Sequence, residues 1–338
     1  MINWLEHKAR TLDFDLIGIT NDFPPQHKDY FLDWLKQGKQ AEMSWLNRNT
    51  DKRLNPALLL ENLKSIIVLG KSYNHETNGP QEYKIARYAH GQDYHEWFKD
   101  KIKDFLKLME NKIESPFKTR IFVDTGPILE RDVAMKAGLG WIGKNTCLLN
   151  KKYGSFFFIG LILTDLELKS SERDHDHCGR CDRCLKACPT GALTAYALDA
   201  TKCLAYHNIE KKGVRDSSYW GYFKKQLVGC DICQDVCPYN EKAIKNPDAD
   251  WLKTFAQYDF GNFAQILTLT KERYKTKVNK SAISRLTYVD FMRNVFLVIA
   301  NNPQKELEED VMTWQYKNPN LDLVEYHHCL QVLKQERL

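Results

Sequence analysis

The sequence predicts an α+β / α/β chain in three parts: an N-terminal α/β domain over residues 1–165, a cysteine-rich domain over 166–245, and an α-helical, HEAT-like segment over 246–338. Three observations carry this reading. Apolar runs of strand length, Ser65 to Gly70, Ile121 to Val123 and Phe156 to Thr164, punctuate helical stretches in the first part. Eight of the ten cysteines then fall between Cys178 and Cys237, in a stretch too poor in aliphatic residues to fold on packing alone. Beyond it, apolar residues recur at helical spacing in Phe291, Val295, Val298 and Ile299 and again in Leu321, Val324, Leu330 and Leu333, with Asn301-Asn302-Pro303 as a break between antiparallel hairpins.

Within the first part, one helix is framed by its ends. Pro127 suits a first helical position, Ile128 to Ala137 are good formers, and Gly138 suits a left-handed stop. The longest apolar run, Phe156 to Leu163, is far short of the roughly 18 residues a membrane helix needs, so no membrane partner is expected. No signal pattern stands at the N-terminus, and a cytoplasmic monomer is the expectation. Thiols stay reduced in that compartment, so closely spaced cysteines point to metal rather than disulfides. The net charge of +5 permits a polyanionic partner without demanding one.

Cys178, Cys181, Cys184 and Cys188-Pro189 give C-x2-C-x2-C-x3-C-P, the ferredoxin-like run whose fourth cysteine serves the other cluster. Cys230, Cys233 and Cys237-Pro238 repeat its last three positions, with Leu227 where the first cysteine belongs. Cys203 is the simplest replacement. The expected centre is therefore a pair of 4Fe-4S clusters, one on Cys178, Cys181, Cys184 and Cys237, the other on Cys188, Cys203, Cys230 and Cys233. Structural zinc is the competing reading, but zinc sites rarely carry a proline-terminated cross-over. Cys147 and Cys329 read as packed, inert thiols, and His175 and His177 as part of a polar linker.

Two neighbouring clusters form a wire that delivers electrons one at a time, and a wire needs a terminus. No glycine-rich fingerprint follows a strand; Gly138 to Asn145 follows a helix, so a nicotinamide or flavin held by that fold is not indicated.

Several segments together carry a family resemblance. Val123-Asp124-Thr125-Gly126-Pro127, Glu130-Arg131, Ala137 to Asn145, the ferredoxin run and Cys203 closely resemble epoxyqueuosine reductases. Arg53-Leu54-Asn55-Pro56, Ala86 to Ala89, Gly91 to His95 and Phe291 to Val295 extend the similarity over nearly the whole chain. The resemblance implies an oxidoreductase of queuosine biosynthesis, related to reductive dehalogenases. It would remove the epoxide oxygen of epoxyqueuosine at the wobble position of tRNA, using cobalamin bound in the N-terminal domain with no protein histidine below the cobalt. The absence of a D-x-H-x-x-G motif agrees with that. An unidentified low-potential donor would supply the electrons.

On that basis Asp124 is the expected proton donor, kept protonated by desolvation at the end of a buried strand. Arg131 would orient substrate or pair with Glu130, and Tyr94 and His95 would line the pocket. Arg53, Arg87, Gly140, Trp141 and Lys144 join Asp124 as candidate cobalamin contacts. For tRNA, Lys275, Lys277, Lys280 and Arg285 form a basic segment near Arg293, and Lys211 belongs to a second cluster with Lys212 and Arg215. The chain departs from the family at His207, Asn208 and Lys211. Two other readings are a dehalogenase-like corrinoid enzyme and a non-catalytic electron carrier or RNA-binding module; the last leaves the first 165 residues without a purpose.

Overall fold

The computed structural model describes residues 1–76, 82–245 and 260–335. The expected start of the C-terminal segment, residues 246–259, lies outside the described residues. Four strands make the main sheet: β1 (Leu16–Thr20), β2 (Ser65–Ser72), β3 (Thr119–Phe122) and β4 (Phe157–Thr164), in the order β1-β2-β4-β3. The apolar runs of the sequence become β2, β3 and β4. All three pairings are antiparallel, Ile67 facing Ile162 and Ile121 facing the same residue from the other side. The fold therefore mixes α and β structure, but its sheet is not the parallel one that an α/β pattern suggests. Runs buried on both faces lack the period-two alternation that would have betrayed the pairing.

Both faces of the sheet are covered. On one, Ile67, Leu69, Phe158 and Ile162 pack against α1 (Ile2–Thr11) and the long α3 (Tyr94–Lys112), through Leu5, Phe98, Ile102, Phe105 and Met109. The other face packs Ile66, Val68, Leu161 and Leu163 against Val133, Ala134 and Ala137 of α4 (Glu130–Lys136). Each such side chain contributes about 1.5–3 kcal/mol by leaving water. Between them in sequence, α2 (Lys28–Lys36) lies over the sheet's open end.

The framed helix is shorter than predicted. α4 begins at Glu130, and Pro127 sits in the preceding bend rather than at the first helical position. Gly138 does take the left-handed stop, with φ +81°. The displaced start lets residues 123–129 form a turn at the end of β3, and that turn carries Asp124.

Helices α5 (Phe263–Leu267), α6 (Lys271–Val278), α7 (Tyr288–Asn301), α8 (Leu307–Lys317) and α9 (Val324–Gln335) share one core with Leu204, Ile209, Phe223 and Leu227 from the cysteine-rich part. A buried polar joint fastens the two. The Arg215 guanidinium, wholly buried, meets Asp290 at 3.3 Å and the Asn294 side-chain oxygen at 3.2 Å, while its backbone N–H donates to Glu325 at 2.9 Å. Asn294 in turn donates to the carbonyls of Asn208 and Leu227. Removing one partner of a buried pair leaves the other charge uncompensated. Arg215→Ala should accordingly cost about 3–5 kcal/mol, read as a loss of denaturant midpoint; a change within error would show the joint to be dispensable.

Candidate active site

A cavity of about 560 Å³ opens between the sheet end, the Asp124 turn and α2. Its wall is largely aromatic, with Tyr30, Phe31, Trp34, Tyr88, Phe157 and Phe158 among the lining residues. The chain builds it simply: β4 starts its buried run at the cavity with Phe157 and Phe158, and α3 starts there with Tyr94. Tyr94 is sandwiched, its ring 4.1 Å from Phe158 and 4.0 Å from His95.

Asp124 sits at the cavity in the left-handed region, φ +58°, which aspartate tolerates better than most residues. Its Oδ2 meets His95 Nε2 at 3.2 Å, and His95 Nδ1 meets Asp93 at 2.6 Å. Asp93 also caps α3 by accepting from the His95 backbone N–H. Burial opposes the imidazolium, but the hydrogen bonds and charges of Asp124 and Asp93 prevail and raise His95 to about 9. For Asp124, burial pushes upward, and the bond and charge of His95, with Arg285 and Arg131, hold the carboxyl below its ordinary range. This differs from the protonated aspartic acid expected from the sequence: the proton of the couple resides on His95, a partner fixed 29 residues away.

Glu130, the first residue of α4, lines the same cavity. Its carboxyl lies near the Asp124 backbone N–H, and its Oε1 is buried without a hydrogen-bond partner among the described residues. Desolvation first, then the Asp124 charge, push its carboxyl up to about 8. Arg131 forms no ion pair with Glu130 among the described residues; its guanidinium donates to the Thr146 carbonyl at 2.6 Å, at the cavity's edge. Arg53 also lines the cavity and faces the carbonyls of Gly126, Trp45 and Arg48 at 3.4–3.5 Å. His27, at the rim, is tied to Asp132 at 2.7 Å.

Four of the expected cobalamin contacts lie elsewhere. Arg87 reaches Asp235 at 2.5 Å and Asp231 at 3.5 Å and stacks over Phe156. Lys144 donates to the carbonyls of Gly179 and Cys181. Trp141 is buried edge-on against His177 and Tyr239, beside Cys178 and Cys237. A side chain at Gly140, φ +154°, would run into the Leu149 carbonyl. Trp141 and Lys144 thus brace the cysteine loops while Ile142 between them lines the cavity, and Arg87 pairs with Asp231 and Asp235 of those loops.

The thiols stand in two groups. Cys237 neighbours Cys178, Cys181 and Cys184. Cys188 and Cys203 neighbour Cys230, with Cys233 completing that group. Four thiolates per group is the donor set a 4Fe-4S cubane takes. Cys147 is not an isolated packed thiol: it lies beside Cys233. Its neighbour Thr146 lines the cavity, so one residue separates the cavity wall from the second group.

The basic segment borders the cavity. The Lys280 carbonyl accepts from the Asp93 backbone N–H at 2.6 Å, and Lys275 on α6 is exposed. Arg285 pairs with Glu210 at 2.9 Å and lies over the Trp45 ring. Lys211 is held by Glu42. Arg293 is buried against Glu325 and Arg215 is buried in the joint, so neither faces a phosphate. His207 and Asn208 are structural as well: His207 stacks on Tyr219 at 3.9 Å, and Asn208 bonds Gly229 from both ends.

Fold and site together define a two-cluster iron-sulfur oxidoreductase with an aromatic cavity beside the clusters. Residues 177–240 match the family described as 4Fe-4S double cluster binding domain, and residues 53–125 match Epoxyqueuosine reductase QueG, DUF1730. An epoxyqueuosine reductase of Leadbetterella byssophila is 37% identical over 297 residues, 86% of this chain and 95% of that protein. One from Cyclobacterium marinum is 38% identical over 296 residues, 86% of this chain and 94% of that protein. The solved epoxyqueuosine reductase of Streptococcus thermophilus superposes with a TM-score of 0.85 at 30% identity, covering 98% of this chain and 89% of that one. The same fold recurs, at TM-score 0.82 and 23% identity over 98% of both chains, in an epoxyqueuosine reductase solved with a tRNA-Tyr epoxyqueuosine-modified stem loop. The chain belongs to the epoxyqueuosine reductase family.

Proposed function

We propose that this chain reduces epoxyqueuosine to queuosine at the wobble position of tRNA, with electrons from two 4Fe-4S clusters and a cobalamin seated in the aromatic cavity. The observation that carries the reading is the Asp124–His95 couple, a carboxylate and an imidazolium in contact at 3.2 Å, of which Asp124 lines that cavity. Opening an epoxide creates an alkoxide, and a proton held within a hydrogen bond of the breaking C–O bond quenches it as it forms. Asp124 would receive that proton from His95 and present it; Asp93 keeps the imidazole oriented.

The cavity suits a flat macrocycle, since its wall carries the rings of Trp34, Tyr88 and Phe157 and Arg53 lies at its polar edge. Cobalamin, when bound, supplies a reduced cobalt that side chains cannot replace. No histidine of the chain is assigned below the cobalt. Arg53 and Tyr94 would hold it, and Arg131 would orient the nucleoside. Arg87, Trp141, Gly140 and Lys144 fix the cluster loops. The clusters take the ligands Cys178, Cys181, Cys184 and Cys237, and Cys188, Cys203, Cys230 and Cys233. Electrons enter from a low-potential one-electron donor in the cytoplasm, and the chain acts as a monomer; among the described residues no helix is long and apolar enough to cross a membrane.

The basic segment from Lys275 to Arg285 would guide the anticodon loop, because its Lys280 carbonyl accepts from Asp93, which holds the His95 partner of the cavity residue Asp124. Alanine at Lys275 and Lys277 should weaken binding of the stem loop and flatten its salt dependence, each lost phosphate contact lowering the slope by roughly 0.7–0.9. An unchanged slope would place the RNA elsewhere. The function itself is tested by giving anaerobically loaded protein, cobalamin and a low-potential reductant to epoxyqueuosine-containing tRNA. Queuosine in the digested RNA is the expected product; unconverted epoxyqueuosine with both clusters and cobalamin in place would end the proposal.

A further inference from the structure

Deoxygenating an epoxide breaks two C–O bonds, forms one C=C bond and releases the oxygen as water, which consumes two electrons and two protons. The clusters account for the electrons, whereas the His95–Asp124 couple holds one proton. A second must come from somewhere in the closed site. Among the described residues lining the cavity, Glu130 has the geometry for it. Its carboxyl lines the cavity near the Asp124 backbone N–H, and its Oε1 is buried without a hydrogen-bond partner among the described residues. A carboxylate left so incompletely bonded is costly to bury, whereas a carboxylic acid is not.

We propose that Glu130 is kept as a neutral acid in the cavity wall and is the store from which Asp124 is reloaded, delivering the second proton that the departing oxygen needs. The inference rests on the reductase reading. The Asp124 charge at the end of β3 favours the acid, while His95 of α3 and the adjacent Arg131 oppose it. Arg53 and the Tyr94 hydroxyl also sense Glu130. Desolvation and Asp124 win, and the group loses its proton only at about 8. Two carboxyls lining one cavity with pKa values driven apart, Asp124 down and Glu130 up, is the arrangement that separates a proton acceptor from a proton store.

Glu130 acts through Asp124 and is thus a positioning and relay residue. The sign follows: below pH about 8 the store is full, and as pH rises through that value it empties and turnover should fall. Glu130→Gln keeps the size of the side chain and removes the proton. Single-turnover conversion near neutral pH should drop on the order of 100-fold, with KM for the tRNA unchanged, and the descending limb near pH 8 should vanish, leaving the later one that belongs to His95. Independently of turnover, infrared titration of cluster-loaded, cobalamin-free protein should show a protonated carboxyl that disappears with a midpoint at about 8 and is missing in Glu130→Gln. Wild-type conversion and pH profile in the variant, or a wild-type protein with no carboxyl titrating above the ordinary carboxylate range, would overturn the inference. The infrared result decides Glu130 even if the variant fails to load its clusters. Failure of the wild-type chain to convert the tRNA at all would instead sink the reductase reading.

Discussion

Asp124→Asn should abolish conversion of epoxyqueuosine-containing tRNA, a loss on the order of 10²–10⁴-fold, while cobalamin remains bound. The substitution is nearly isosteric and leaves the left-handed turn after β3 in a residue that tolerates it. What it removes is the charge. Without that charge the His95 imidazolium keeps only Asp93 as a counter-ion, and its pKa should fall from about 9 toward the ordinary histidine value. The proton is then lost at lower pH, so any residual activity should decline earlier on the alkaline side than in wild type. Glu130 loses the neighbour that raises it and should titrate lower as well. Histidine NMR and the infrared carboxyl signal read both shifts without substrate. Full turnover in Asp124→Asn would remove the residue from the mechanism, and unshifted titrations would remove the couple.

The sequence made the strands and the cysteine framework legible for different reasons. β2, β3 and β4 are recognisable because apolar runs of that length fit a buried strand, but whether neighbours run parallel depends on crossovers that no local pattern records. The cysteine groups were readable because spacing alone limits which thiols can wrap one cubane. The cavity was only half readable. Asp124, Tyr94, Arg53 and Arg131 do line it, yet Arg87, Gly140, Trp141 and Lys144 turn to the cysteine loops. Glycines and a tryptophan near a cofactor site look alike in sequence whether they touch the cofactor or brace the loops that hold its neighbours. Glu130 escaped because an acid in the first turn of a helix is ordinarily solvated; only the Asp124 turn folded over it makes it a buried acid. Arg215 and Arg293 misled in the opposite sense, since a run of basic residues gives no sign that Asp290 and Glu325 will close on two of them in the core.

The proposed cross-over of the cysteine ligands would separate sequence neighbourhood from cluster membership. Cys188 closes the first motif, yet it stands with Cys203 and Cys230, and Cys237 closes the second while standing with Cys178, Cys181 and Cys184. Cys188→Ser should therefore lower iron from about eight to about four per chain and leave a reduced-state resonance matching that of Cys203→Ser, not that of Cys181→Ser. Turnover should vanish in all three, since a wire broken at either cluster passes no electron to the cavity. Stability should fall too, because the cysteine-rich part is poor in aliphatic residues and the metal supplies what packing does not. The fall should be shared by both halves of the region, for each cluster ties the first motif to the second. A Cys188→Ser protein whose surviving resonance matched Cys181→Ser would mean that each motif serves its own cluster. The two halves would then be independent beads, and the placement of Cys147 beside Cys233 would fall to Asn145, which accepts from the Cys147 backbone N–H and donates to the Cys233 carbonyl.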